Sequence, residues 1–142
     1  MEEYVQAAER LRGTGIRLSV TLISGLGGQK LLKEHAIASA KLITAMKPDY
    51  LGFLTLLLEP GAPMLKEVKS GAMQLLTPAQ VLEEMELFLT HVDSGRNGIS
   101  FQFTLPIIFL WRAIWNRDIS VMLEKIPESR VAGSYIKTSP CV

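Results

Sequence analysis

The feature that most constrains the fold is a repeated unit: an apolar run, a turn rich in glycine or proline, then an amphipathic helix. Ile16 to Ile23 is β-branched and mostly apolar, which suits a buried strand. Ser24-Gly25-Leu26-Gly27-Gly28 closes that strand in a loop. A helix is predicted from about Gln29 to Met46, with Leu32, Ala36, Ala40 and Ile43 as its apolar stripe and Lys33, Glu34 and Lys41 off it. Lys47-Pro48-Asp49 stops it, because the residue before a proline is pushed out of helical geometry. Tyr50 to Leu58 then reads as a second strand, apolar at nearly every position, as expected where both faces are covered.

The unit recurs on both sides. Tyr4 to Arg12 carries Val5, Ala8 and Leu11 at helical spacing, and Gly13 and Gly15 mark its stop. After Glu59-Pro60-Gly61-Ala62-Pro63, a short helix and an irregular link are expected over 64–76. Thr77-Pro78-Ala79-Gln80 is a strong helix start: Thr77 caps, Pro78 fits the first turn, and Gln80 bonds back to the cap amide. Val81, Met85, Phe88 and Val92 form the buried stripe of the helix that follows, ending near Asp93. Ser94-Gly95-Arg96-Asn97-Gly98 is a turn, Ile99, Phe101 and Phe103 alternate like a third strand, and a last helix is expected from Asn116 to Ile126. Strands alternating with helices imply an α/β fold, a partial (β/α) barrel with parallel strands and functional loops at the strands' carboxyl ends. The division expected is a half-barrel over 1–98 and an atypical tail over 99–142, with an apolar segment and a short helix.

Composition excludes several classes. Apolar residues make up 48% of the chain and charged residues 20%, ordinary for a globular protein. The net charge of +1, with no basic block, gives no nucleic-acid footprint. Phe103 to Trp111 is the longest apolar run, and it falls short of the ~20 residues a spanning helix needs, so no membrane span is expected. Cys141 is the single cysteine, which fits a reducing, cytoplasmic compartment and excludes any multi-cysteine metal motif within these residues. The acidic start Met1-Glu2-Glu3-Tyr4 has no signal core.

Few residues invite chemistry. The loop Gly25 to Lys30 sits between strand and helix, where free amides suit an anion, but it matches neither the phosphate-loop nor the dinucleotide spacing. A glycine-rich tight turn is the favoured reading. Glu59 leaves the second strand at its carboxyl end, with a solvated residue before a Pro-Gly turn as the simpler reading. His35 lies among charged helix neighbours and His91 near a helix end, where it meets the negative end of the dipole. Neither has a ligand partner at metal spacing. The methionines fit core filling.

Taken together, Gly15-Ile16-Arg17-Leu18-Ser19-Val20-Thr21-Leu22-Ile23-Ser24-Gly25-Leu26-Gly27-Gly28, Pro48-Asp49-Tyr50-Leu51-Gly52, Leu58-Glu59-Pro60-Gly61-Ala62-Pro63-Met64 and Gln74-Leu75-Leu76-Thr77-Pro78 resemble radical S-adenosylmethionine enzymes. The branch is the one similar to oxygen-independent coproporphyrinogen oxidase and elongator-type proteins, and the likeness runs from Met1 to about Asp93. It implies an open β/α barrel that holds S-adenosylmethionine and a [4Fe–4S] cluster in an oxidoreductase-like parent. The family motif Gly-x-Ile-x-Gly-x-x-Glu at a strand end contacts the adenine side of the cofactor. Ile23 and Gly25 match its core, Thr21 stands for the first Gly, and Gly28 stands where the Glu would be. Leu57, Leu58 and Glu59 are similar to the segment lining the same cofactor.

The family's cluster motif, Cys-x3-Cys-x2-Cys, has no counterpart here, and one thiol at position 141 cannot replace it. The expectation is therefore a carboxy-terminal part, inactive by itself and binding neither cofactor alone. No catalytic and no metal-ligating residue is assigned. A missing amino-terminal half is its expected partner; the alternative is a non-catalytic interaction module or half of a split enzyme.

A second departure begins at Phe103. The branch carries a polar stretch similar to His-Ala-Ser-Asn-Tyr-Leu-Pro-Leu, where this chain has Phe103-Thr104-Leu105-Pro106-Ile107-Ile108-Phe109-Leu110 before resuming with Asn116-Arg117-Asp118-Ile119. Codons exist that encode these residues in one frame and His-Ala-Ser-Asn-Tyr-Leu in another. Out-of-frame translation from Phe103 to Trp115 is the expectation, with a genuine strand and apolar link as the alternative.

Overall fold

The computed structural model describes residues 1–93, 100–105 and 109–114. The elements are α1 (Glu2–Leu11), β1 (Ser19–Ser24), α2 (Leu32–Met46), β2 (Tyr50–Thr55), α3 (Met64–Ser70), α4 (Pro78–His91), β3 (Ser100–Leu105) and β4 (Phe109–Ile114). The architecture is mixed α/β around an open sheet ordered β1-β2-β3-β4. β1 runs parallel to β2 and β2 parallel to β3, whereas β4 is antiparallel to β3. β4 falls within the Phe103 to Trp115 stretch, for which the sequence suggested out-of-frame translation or a strand with an apolar link. The helix expected over 116–126 lies outside the described residues.

Both strands of the first unit are shorter than their apolar runs, because a strand extends only as far as its ladder partner. β1 begins at Ser19, opposite Tyr50. Before it, Leu18 donates its amide to Asp49 Oδ2 at 2.8 Å and its carbonyl accepts from the Asp49 and Tyr50 amides. Ile16 remains outside the sheet and largely exposed. The Arg17 guanidinium donates to the Tyr50 hydroxyl at 2.6 Å, and that bond, with the tyrosine's charge next, raises the pKa of Arg17 above its ordinary value. At the other end, Ser24 pairs with Thr55, and the Leu56 amide makes the last link to the Ser24 carbonyl at 2.9 Å. Gly25 then turns away, so Leu56 to Leu58 leave the sheet instead of extending it.

The helices follow their sequence signals closely. Thr77 and Gln80 form the reciprocal capping box at the start of α4. Lys47, in a left-handed conformation ahead of Pro48, ends α2. Leu32, Ala36, Ala40 and Ile43 of α2 are all buried, as are Val81, Met85 and Phe88 of α4, together with Leu82 and Leu89. α1 buries Ala8 and is tied to α2 by Arg12, whose guanidinium donates to the Ala45 carbonyl at 3.1 Å.

The core lies between α2, α4 and one face of the sheet. Ala40, Ile43, Leu51, Phe53, Leu82, Met85, Phe88 and Leu89 pack together, with Val20, Leu22 and Val92 at the margin. The Phe53 and Phe88 rings meet at 5.3 Å, tilted by 55°. Fully burying a side chain the size of Ile43, Leu51 or Phe88 stabilises the fold by about 1.5–3 kcal/mol.

Side chains alternate across a strand, so Leu51 and Phe53 point to the helices while Tyr50, Gly52 and Leu54 point away. Leu54 is 41% exposed, and Ile23, its register partner on β1, is 37% exposed. The apolar character of β2 therefore does not mean that both faces are covered. Among the described residues, α2 and α4 pack on one side of the sheet, and Ile23 and Leu54 are exposed on the other.

A buried carboxylate locks the strand end

The carboxyl end of β1 is held by a residue that the apolar patterning did not single out. Glu84 lies on α4 three residues after Val81 and four before Phe88, inside the apolar stripe, and is completely buried. Placing a carboxylate there costs several kcal/mol unless it is well bonded. It is. The Ser24 hydroxyl and the Gly25 amide both donate to Oε2, the latter at 2.9 Å. His35 Nδ1 lies 2.7 Å from Oε1, with the imidazole side chain 24% exposed and that of Glu84 not at all. With Glu84 ionised, its oxygens only accept, so Nδ1 carries the proton and Nε2 is the nitrogen left at the far end of the ring. Hydrogen bonds to a charged acceptor are about twice as strong as neutral ones. One carboxylate on α4 thus joins the end of β1 to α2.

The glycine loop is a packed turn, in keeping with the favoured sequence reading. Gly25 has φ +91° and Gly28 φ +58°, and the Gly28 amide donates to the Gly25 carbonyl at 2.9 Å. A Cβ on Gly28 would sit 3.0 Å from the Gln74 carbonyl oxygen. The Gln29 amide donates to that same oxygen at 2.9 Å, and its side-chain amide donates to the Leu75 carbonyl at 2.9 Å. These bonds to the link after α3 delay the helix, so α2 starts at Leu32 and not at Gln29.

Thr21 and Ile23 are on the open face of β1, opposite Gly52 and Leu54, and Thr21 lies over the space a side chain at Gly52 would take. Gly25 is buried at the head of the loop. Leu57 is 71% exposed just beyond β2, Leu58 is half-buried, and Glu59 is exposed, its carbonyl accepting from the Ala62 amide at 3.1 Å. His91 Nδ1 donates to the Leu87 carbonyl at 2.7 Å in the last turn of α4, a structural use of the ring. His35 is different, because its partner came from a helix remote in sequence. The readable signal was a carboxylate at position 84 spaced with the apolar stripe, which is a buried acid in need of donors.

Among the described residues no group of three or more His, Cys, Asp or Glu side chains could hold a metal ion. Among them too, no helix is long and apolar enough to cross a membrane. No family model, curated protein or solved structure matches this chain.

Proposed function

We propose that this chain is the carboxy-terminal part of a radical S-adenosylmethionine barrel and forms one wall of its cofactor pocket. The observation that carries the reading is the one-sided sheet. Parallel strands β1, β2 and β3 stand in sequential order, with α2 and α4 on one face and, among the described residues, Ile23 and Leu54 exposed on the other. A β/α barrel is built in this way, its open face becoming the interior and its strand ends the site.

The residues suit S-adenosylmethionine as one wall. Ile23 and Leu54 offer an exposed apolar shelf for the adenosyl group, and Gly52 keeps the neighbouring surface low. Thr21 and Gly25 extend that wall along β1, with Leu57, Leu58 and Glu59 at the next strand end. S-adenosylmethionine, when bound and reduced, supplies hydrogen-abstraction chemistry to such enzymes. What these residues do is bind and orient, with the Ser24–Gly25 turn held rigid by Glu84. A [4Fe–4S] cluster does not fit, because its thiolates have one candidate, Cys141, outside the described residues. No electron-transfer step is assigned to this chain, and the thiolates belong to an amino-terminal half. Reading the DNA upstream of the Met1 codon tests this. A stretch encoding Cys-x3-Cys-x2-Cys, in any frame, is expected, and its absence would sink the proposal.

A second reading is favoured by the exposure of Ile23, Leu54 and Leu57. These side chains equally suit a non-catalytic interaction module that docks through the open face. An intact neighbouring gene for the other half would point to a split enzyme instead.

A further inference from the structure

We infer that Glu84 is the positioning residue of the β1 strand end and that His35 makes this positioning sensitive to protons. The buried Glu84 carboxylate uses its two oxygens for different partners. Oε2 holds the Ser24 hydroxyl and the Gly25 amide, while Oε1 faces His35 Nδ1. A neutral imidazole donates through Nδ1 as a dipole. An imidazolium donates through the same atom with a full positive charge beside Oε1. That charge draws electron density toward Oε1 and weakens Oε2 as an acceptor, since bonds within one low-dielectric network polarise each other. The bond from the Gly25 amide to Oε2, at the head of the proposed cofactor wall, therefore responds to a proton gained on the part-buried His35 ring.

From α4 the charged group bonded to His35 is Glu84, with the partly buried Glu83 beside it in sequence. The β1 end contributes only the uncharged Ser24 hydroxyl and Gly25 amide, and the packed link Met73-Gln74-Leu75-Leu76 carries no charge. On its own side of the site, Glu34 is adjacent to His35, with Lys33 and Lys30 before it, all three exposed to solvent. Solvent screens those charges, whereas Glu84 is shielded from it.

The significance for a cofactor rests on the function proposed above; the coupling of His35 to Gly25 through Glu84 does not. The test uses the full chain, labelled with 15N, with the Gly25 amide and the His35 ring followed by NMR across a pH titration. The Gly25 amide is expected to shift with the same midpoint as the His35 ring, and the ring to show the tautomer protonated at Nδ1. His35→Gln keeps a donor without a titrating charge, so the pH response at Gly25 is lost while the amide stays bonded. Glu84→Gln keeps the size and one acceptor oxygen but removes the anion, so the His35 titration no longer reaches Gly25. If Glu84→Gln fails to fold, His35→Gln decides alone. A Gly25 amide that ignores pH in the parent chain, or titrates unchanged in His35→Gln, overturns the inference. Neither result bears on the upstream cysteine motif, so the two proposals fail separately.

Discussion

Glu84→Ala removes at once the acceptor for Ser24, Gly25 and His35. The three donors do not lose equally. His35 keeps partial access to water and can turn its Nδ1 outward. Ser24 and Gly25 are buried and have no such recourse. Two stranded donors at roughly 1–3 kcal/mol each set the loss, with release of the carboxylate's desolvation cost and entry of a water working against it. The net destabilisation expected is about 3 kcal/mol, at the lower edge of what breaking a buried ionic contact costs. Urea denaturation followed by circular dichroism reads it as a lower midpoint at an unchanged m value. Glu84→Gln, which can still accept through its amide oxygen, should lose about 1 kcal/mol. If Glu84→Ala falls within ~0.5 kcal/mol of the parent, the range of an ordinary surface change, the carboxylate holds nothing and the reasoning fails.

Three further perturbations probe the frame around the site. Phe88→Ala empties the position facing Phe53 and should cost about 3–5 kcal/mol in the same denaturation assay. Thr77→Ala removes one arm of the capping box and should cost about 1 kcal/mol, with the loss of helical protection confined to the first turn of α4 by hydrogen exchange. Gly28→Ala forces a left-handed alanine against the Gln74 carbonyl and should destabilise by at least about 1–2 kcal/mol; a neutral result would show that the loop is not packed as described.

The parts of the fold legible in the sequence are those set by local chemistry. The Thr77/Gln80 pair announces the start of α4 because its hydrogen bonds are made within one turn. The α2 stripe is legible because burial repeats with the helical period. Strand lengths were not, since the end of β2 depends on where β1 runs out, thirty-one positions earlier in register at Ser24. The exposure of Leu54 was also hidden: Leu54 and Phe53 are both apolar, and the placement of α2 and α4 decides which one they cover. Of the site, Gly25 and the packed glycine turn were readable, whereas Glu84 and His35 come together from two helices. A search for apolar spacing passes over a carboxylate that sits in the stripe itself.

In the proposed role these residues shape a cofactor wall, and a single cysteine cannot hold the cluster that would deliver an electron. The most direct measurement is anaerobic treatment of the isolated chain with iron and sulfide, followed by absorbance spectroscopy and an assay for 5′-deoxyadenosine with S-adenosylmethionine and a reductant. The proposed role predicts neither a stable cluster nor 5′-deoxyadenosine. A stable cluster that yields 5′-deoxyadenosine would contradict it.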